Sequence, residues 1–337
     1  MKKFNEIFID KTKYGEKIQT SEYEKQGKHI IVDQGQAEIA GYTNREEGLF
    51  NEVPVIIFGD HTRLIKYIDE PFFLGADGVK VLRSKEKNAN YKYLYYALKS
   101  AKIPNTGYNR HFKWLKDVEI NYPDSVKQEK IVDILDRVSD VIEKRKAELS
   151  YLDTLIKARF VEMFGDPIRN TQNRPTIEFI NVVKMQRGFD LPVQDRQQDG
   201  EIPVYGSNGA LDYHNVAKIH GGVITGRSGT IGKVFYTEGD FWPLNTSLFS
   251  ADTHGNNVIY LGYLLQLFDL TRFVEGTGVP TLNRNMFHNK QIIDVPIDEQ
   301  RVFAAFVNEI DKSKSAVKKA LDETQLLFDS LMQEYFG

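Results

Sequence analysis

Two segments of the chain, residues 128–165 and 300–337, carry hydrophobic residues at alternating intervals of three and four. Each segment keeps this spacing over about five heptads, which is typical of a long helix with a narrow seam of coiled-coil type. At 1.5 Å per residue, each helix would be roughly 55 Å long. Gly165, followed by Asp-Pro, predicts the end of the first helix. The residues predicted to form the helix-pairing seam are Leu135, Ile142, Leu149 and Ile156 in the first segment and Val307, Leu321 and Phe328 in the second.

The two segments are equivalent parts of an internal repeat. When Gly165 is set over Gly337, the segments align without a gap, and each ends in Glu, a large apolar residue, Phe and Gly. The preceding regions repeat as well, because residues 53–68 and 221–236 both read as a strand, a tight polar loop and a second strand. One interpretation buries each helix within its own domain. The favoured interpretation pairs the two helices with each other about an approximate two-fold axis.

The repeat predicts an α+β fold with an internal pseudo-two-fold relation. Two similar α+β domains are separated by two long antiparallel helices of coiled-coil type. The polar stretch NTQNRP at 170–175 is the predicted linker between the halves. The predicted boundaries are 1–127 for the first domain, 128–165 for the first long helix, 166–299 for the second domain and 300–337 for the second long helix.

Composition narrows the class of protein. Hydrophobic residues make up 41% of the 337 and charged residues 27%, as in ordinary globular proteins, and the absence of cysteine excludes disulfides and thiolate metal sites. The N-terminus has no apolar stretch of signal-peptide length, and no apolar run approaches the length of a membrane span. We therefore expect a cytoplasmic protein without membrane contact. The net charge of −3, from 44 basic and 47 acidic residues, means that any DNA binding depends on local patches or on a partner.

No motif for catalysis is found. The string GRSGTIGKV at 226–234 resembles a phosphate-binding loop, but Arg227 stands where the motif requires glycine and Val234 where it requires Ser or Thr. The seven histidines show no ligand spacing with carboxylates, so no metal site is predicted. We therefore expect a non-catalytic chain that binds no cofactor itself.

Polar loops at equivalent places in both halves are the candidates for DNA binding. Arginine suits the major-groove edge of guanine, asparagine and glutamine suit adenine, and lysines such as Lys113, Lys116 and Lys290 suit phosphates. The alternative is that these loops are ordinary polar turns. The predicted DNA-binding residues are Gln34, Gln36, His61, Thr62, Arg63, Tyr108, Asn109, Arg110 and Lys113 in the first half, and Ser207, Asn208, Arg227, Ser228, Thr230, Asn283 and Arg284 in the second.

The sequence also resembles a known family. Residues 128–167 are similar to the central conserved helix of type I restriction–modification specificity subunits. Residues 222–249 and 59–82 resemble two kinds of target-recognition domain in that family. The resemblance implies that each domain reads one half of a bipartite sequence in double-stranded DNA. It also implies that the long helices set the unread spacer and dock two modification subunits.

In such a complex, the modification subunits bind S-adenosylmethionine and methylate adenine. The restriction subunits bind ATP and Mg, translocate DNA and cleave it. The resemblance thus implies that this chain is a non-catalytic specificity subunit. The alternatives are a specificity subunit of a methyltransferase-only complex, a coiled-coil scaffold without DNA contact, and a self-contained methyltransferase–endonuclease, which the lack of cofactor motifs disfavours.

Overall fold

The computed structural model describes residues 1–75, 77–107, 109–276 and 280–337 of the chain. It consists of two compact units. Unit 1 comprises Met1–Arg145 together with Ala320–Gly337, and unit 2 comprises Lys146–Lys319. Two helices of 40 residues each therefore contribute to both units. Among the described residues, no helix combines the length and the hydrophobicity needed to cross a membrane.

The two long helices are α4 (Ser125–Phe164) and α7 (Ile297–Phe336), and a module of strands and shorter helices precedes each of them. Helices α2 (Tyr91–Lys99) and α6 (Val258–Phe268) each follow an asparagine whose side chain accepts a backbone N–H of the first turn. The helices are α1 (Phe4–Ile7), α2 (Tyr91–Lys99), α3 (Phe112–Leu115), α4 (Ser125–Phe164), α5 (Phe179–Val182), α6 (Val258–Phe268) and α7 (Ile297–Phe336).

Unit 1 contains two small sheets and a strand pair. One sheet is antiparallel with the order β2-β8-β5-β6, and the other has the order β4-β3-β7 with β3 and β7 parallel. The pair β1-β9 joins the beginning and the end of the module. The strands are β1 (Lys2–Lys3), β2 (Phe8–Asp10), β3 (His29–Val32), β4 (Gly41–Thr43), β5 (Val55–Gly59), β6 (Ile65–Ile68), β7 (Phe72–Leu74), β8 (Val79–Ser84) and β9 (Glu119–Ile120).

Unit 2 contains one six-stranded sheet with the order β11-β16-β14-β15-β12-β13. As in unit 1, an antiparallel pair, β10-β19, joins the beginning and the end of the module, and β17 pairs with β18. The strands are β10 (Thr176–Glu178), β11 (Lys184–Arg187), β12 (Ile202–Gly206), β13 (Gly209–His214), β14 (Ile219–Gly226), β15 (Val234–Pro243), β16 (Ser247–Asp252), β17 (Val274–Glu275), β18 (Thr281–Leu282) and β19 (Gln291–Ile293).

The long helices pack against each other in opposite directions. In unit 1, Leu135 and Ile142 of α4 share a hydrophobic core with Phe328 of α7. In unit 2, Ile156 of α4 shares a core with Val307 of α7. The early part of each helix thus meets the late part of the other, which confirms the predicted antiparallel pairing. These five predicted seam residues are buried, whereas the remaining two, Leu149 and Leu321, are half-buried.

Equivalent aromatic contacts fasten the helices to their modules. In unit 1, the ring of Phe336 at the end of α7 lies 5.3 Å from Tyr93 of α2. In unit 2, Phe164 at the end of α4 lies at the same distance from Tyr260 of α6. Since Phe164 and Phe336 occupy equivalent positions in the aligned segments, the repeat seen in the sequence is also a repeat of tertiary contacts.

Local chemistry sets the ends of the long helices. Both begin three residues before their predicted starts. In α4 the Asp124 carboxylate accepts the N–H of Lys127 (2.9 Å), which caps the first turn. In α7 the first turn follows Pro296, whose carbonyl accepts the N–H of Gln300 (3.2 Å). Helix α4 ends before Gly165, which has a φ of +79° and so takes the left-handed conformation that glycine tolerates best.

A buried glutamine lies in the first turn of each long helix, again at equivalent positions of the repeat. Gln128 is 4% exposed and donates to the carbonyl of Pro123 (2.9 Å). Gln300 is 1% exposed and donates to the carbonyl of Val295 (2.7 Å). Gln300 also donates to the Asn256 side chain (2.6 Å) and accepts the backbone N–H of Asn257 (2.9 Å). It therefore joins the start of α7 to the start of α6.

We predict that Gln300→Ala lowers the free energy of unfolding by about 2–3 kcal/mol, because it leaves buried and half-buried polar partners without a hydrogen bond. Gln128→Ala should cost less, since its side chain has fewer such partners. Urea unfolding followed by circular dichroism measures the change. Gln333→Ala is the matched control, as Gln333 is an exposed glutamine of α7. Equal stability of the Gln300 and Gln333 variants would contradict the proposed joining role.

Candidate nucleic-acid interface

Three of the predicted loops converge in unit 1. The turn between β5 and β6 lies at the centre, where the His61 N–H donates to the side-chain oxygen of Gln34 (3.1 Å). The His61 ring nitrogen Nδ1 lies 3.2 Å from the carbonyl oxygen of Asn109. The loops that carry Gln34, His61 and Asn109 thus form one continuous polar surface.

Two buried residues, Asp60 and His111, hold this surface in place. The Asp60 carboxylate accepts the N–H of Phe112 (2.7 Å), and its carbonyl accepts the N–H of His111 (2.8 Å). The His111 ring bridges the same loops, with Nδ1 2.9 Å from the Asp60 carbonyl and Nε2 accepting the N–H of Thr106 (3.4 Å). Because Nε2 accepts, Nδ1 carries the hydrogen and donates to Asp60.

Gln34 is engaged within the protein. Its side-chain nitrogen donates to the carbonyl of Asp77 (2.9 Å), while its oxygen accepts from His61. Lys66 fixes the rest of this loop by donating to the Ala37 carbonyl (2.5 Å), with Asp33 at 3.7 Å. Burial lowers the pKa of the Lys66 ammonium group, and the Asp33 carboxylate opposes that shift. Gln34 thus positions the loop, whereas Gln36 is exposed.

Some of the other predicted residues of unit 1 are anchored by hydrogen bonds, others are exposed to solvent, and Asn109 is both. Arg63 has a φ of +62° and donates to the carbonyl of Ile103 (3.2 Å), so its guanidinium ties two loops together. The Asn109 side chain donates to the Thr106 carbonyl. Tyr108 lies outside the described residues. The predicted residues that are exposed to solvent are Gln36, Thr62, Asn109, Arg110 and Lys113.

The predicted loops of unit 2 converge in the same way. The loop after β14 lies at the centre, where the Arg227 carbonyl accepts the N–H of Leu282 (2.8 Å) and Ser228 forms an antiparallel bridge with Thr281. On the other side, Gly229 lies close to the loop of Ser207, because a Cβ atom added at Gly229 would be 3.4 Å from the Ser207 hydroxyl oxygen. The loops at 207–208, 226–230 and 281–285 therefore form one surface.

The remaining predicted residues of unit 2 lie at the edges of this surface. The Asn208 side chain accepts a hydrogen bond from Lys233 (2.7 Å), and Thr230 is exposed. The Asn283 side chain accepts the N–H of Asn285 (3.1 Å) and so begins the short 3-10 helix Arg284–Met286. This turn holds Arg284 beside the central loop.

Three arginines share one groove of about 370 Å³ in unit 2. Arg227 and Arg284 were predicted from the sequence, but Arg187 was not, because no motif surrounds the end of β11. Arg227 donates through Nε to the Asn245 carbonyl (3.0 Å), which fixes its side chain. The other residues that line the groove are Leu248, Thr281, Leu282, Asn283 and Asn285.

His288 connects two of the elements that carry these arginines. Its ring Nε2 accepts the N–H of Met185 in β11 (3.2 Å), and its own N–H donates to the Arg284 carbonyl (3.0 Å). Burial lowers the pKa of His288, and the positive charges of Arg284 and Lys184 lower it further. The neutral His288 ring can accept a hydrogen bond at Nε2, so the lowered pKa favours the hydrogen bond from Met185.

A second kind of surface lies on the long helices. In unit 2, Leu155 and Ala158 of α4 and Phe306 of α7 line a shallow groove bordered by Arg159 and Glu162. Leu155 is 46% exposed. The positions of unit 1 that correspond to Leu155 and Phe306 in the repeat also expose large apolar side chains, since Leu327 is 51% exposed and Ile134 is 40% exposed. Each unit therefore exposes apolar side chains at equivalent positions of its helices.

No group of three or more His, Asp or Glu residues in the described ranges is placed to hold a metal ion. The two loop surfaces instead present amides, hydroxyls and cationic side chains. These groups form hydrogen bonds with base edges and phosphates.

Comparison with known proteins connects this architecture to one family. The family model of the type I restriction modification DNA specificity domain matches the chain twice, at residues 1–151 and 177–324. The Escherichia coli type I restriction enzyme EcoR124I/EcoR124II specificity subunit is 29% identical over 133 residues. That match covers 36% of this chain and spans only about a third (33%) of the curated relative.

Two solved structures share the fold. The S subunit of a type I restriction–modification system from M. genitalium superposes with a TM-score of 0.64 at 18% identity, covering 100% of this chain and 95% of the other. A chain from a structure of type I R-M complex assembly and conformational transition has a TM-score of 0.55 at 14% identity, with 99% and 95% covered. At these identities the likeness establishes the fold alone.

Proposed function

The chain belongs to the type I restriction–modification DNA specificity family, and we propose that it is the non-catalytic specificity subunit that selects the DNA sequence. The observation that supports this most is the repeated convergence of three polar loops on one surface in each unit. Because the two surfaces carry different side chains, each would read a different half-site of a bipartite sequence in double-stranded DNA.

The long helices suit the role of a spacer. A helix of 40 residues is about 60 Å long, which lies between one and two turns of DNA at 34–36 Å per turn. Both helices contribute to the cores of both units, so their length is fixed by buried contacts. We propose that this length determines the unread bases between the half-sites.

The chemistry of modification and restriction would come from partner subunits. Modification subunits would supply S-adenosylmethionine and methylate adenine, and restriction subunits would use ATP and Mg. A net charge of −3 favours such a division, because the partners can neutralise DNA phosphates that this chain neutralises only locally. The proposed site of action is the cytoplasm, where the partners and cellular DNA are available.

We predict that cells with this gene and its modification partner methylate adenine in a bipartite motif, with two defined segments and an unread spacer of fixed length. Sequencing of methylated adenines with the gene present and deleted measures this. The motif should disappear on deletion and return on complementation. A contiguous motif, or one that persists without the gene, would be incompatible with the proposed function.

The apolar patches of the helices support a proposal for how the partners bind. Leu155 and Phe306 in unit 2, and Leu327 and Ile134 in unit 1, expose apolar surface that would be buried in a complex. Their equivalence under the repeat favours one copy of the same partner at each patch. We propose that each patch docks one modification subunit.

We predict that Leu155→Glu removes one of two modification subunits and that the double variant with Leu327→Glu removes both, because a buried unpaired carboxylate is costly. Native mass spectrometry of the purified complex measures the stoichiometry. Leu326→Glu is the matched control, since Leu326 neighbours Leu327 and is 72% exposed. Two bound subunits in the double variant, or equal loss in the control, would refute this docking site.

A further inference from the structure

We propose that Arg187, Arg227 and Arg284 together form a guanine-reading groove, and that Arg187 is a specificity-determining residue of the second half-site. This inference rests on the proposed function and adds the class of base that unit 2 selects. The three arginines come from three separate elements. Arg187 ends β11, Arg227 follows β14, and Arg284 begins a 3-10 helix.

The charge of the groove favours a ligand rich in hydrogen-bond acceptors. Within the described ranges, no acidic side chain forms an ion pair with Arg187, Arg227 or Arg284. A guanidinium group has donors only and remains charged, so three of them around a groove of about 370 Å³ attract acceptors and repel other donors. In DNA, two groups have this character: the major-groove edge of guanine and the phosphate.

The lining of the groove favours the base edge over the phosphate. Leu248 and Leu282 also line it. Both side chains are almost completely buried, so they close the wall of the groove with apolar atoms rather than with further charged groups. Arg227 is held by its Nε hydrogen bond to Asn245, and within the described part of the chain its terminal nitrogens form no hydrogen bond, which suits a bidentate contact. Guanine offers two acceptors, O6 and N7, whereas adenine offers one acceptor beside a donor.

Strand pairing holds the backbone of Arg187 in place. The strand β11 pairs with β16. In this pairing, Gln186 of β11 is opposite Phe249 and Arg187 is opposite Leu248. His288 then ties β11 to the 3-10 helix through Met185 and Arg284. Arg187 is therefore an exposed cation on a rigid, hydrogen-bonded strand, which suits a residue that reads a base.

The described residues of unit 1 show no such concentration of arginine. The residue before Gly15, which corresponds to Gly188 in the repeat, is Tyr14 rather than arginine. The guanidinium of Arg63 is bound to the Ile103 carbonyl. Exposed Gln36 and Asn109 carry amides that both donate and accept, as recognition of adenine requires. Guanine dependence should thus be stronger in the half-site read by unit 2.

The test measures binding of the full complex with modification subunits to duplexes that contain its methylated motif. Each guanine of the motif is replaced in turn by 7-deazaguanine, which lacks the N7 acceptor, and each phosphate in turn by methylphosphonate. For wild-type chain we expect one 7-deazaguanine in the second half-site to weaken binding roughly 5- to 150-fold. With Arg187→Ala, that same replacement should have no further effect.

Two further variants separate base reading from general charge. Arg187→Lys keeps the charge but loses the planar fork, so it should not restore the sensitivity to 7-deazaguanine. Lys184→Ala removes a cation from the same strand outside the groove and should leave that sensitivity intact. Equal thermal unfolding of the variants establishes that they fold.

Three results would overturn the inference. In the first, Arg187→Ala stays sensitive to 7-deazaguanine at every guanine to which the wild-type complex is sensitive. In the second, Arg187→Ala loses sensitivity to a methylphosphonate instead. In the third, the second half-site contains no guanine. The second of these results would make Arg187 a phosphate contact. Each leaves the proposed function standing, whereas a wild-type complex that selects no bipartite sequence would remove that function itself.

Discussion

The antiparallel packing of α4 and α7 is the contact on which the rest of the structure depends. The core of unit 1 is completed by Phe328 and Met332 near the end of α7, and the core of unit 2 by Ile156 and Phe160 of α4. Each module thus buries its hydrophobic surface partly against a helix that begins in the other half of the sequence. Separation of the halves would expose this surface, so the pairing links the folding of both.

This constraint leaves the loops free to differ. In both units a central hairpin loop contacts one loop on each side, although unit 1 does this with His61 and unit 2 with Arg227 and Ser228 on one side and Gly229 on the other. The supporting sheets also differ, since unit 1 has two small sheets where unit 2 has one of six strands. A shared frame of helices can therefore carry recognition surfaces of different chemistry, which a protein that selects two unlike half-sites requires.

The sequence predicted the two long helices and their pairing better than the contacts of the loop surfaces. Hydrophobic spacing that is kept over about five heptads is a strong signal. The buried positions Leu135, Ile156 and Val307 follow from it directly. The earlier helix starts depend on Asp124 and Pro296, which lie before the aligned segments. Residue types that recur in both halves indicated the polar loops as candidates, but their convergence within each unit is visible only in the structure.

Other features of the site depend on tertiary contacts that no local pattern reveals. Asp60, His111 and Lys66 become buried anchors only when distant segments meet. Gln34 and Arg63 have side chains of the types that read bases, yet these side chains form hydrogen bonds with the protein's own backbone. Arg187 belongs to an unremarkable strand end and gains significance only because β11 lies beside the loops of Arg227 and Arg284.

The central claim is that each unit reads its own half of the DNA sequence. It is tested most directly by mapping methylated adenines in cells that carry loop variants of one unit at a time. The account predicts that Gln36→Ala with Arg110→Ala relaxes one half-site only, and that Arg227→Ala with Arg284→Ala relaxes only the other, by roughly 1–3 kcal/mol per lost contact. A change in both halves from either pair, or unchanged specificity in both, would contradict it.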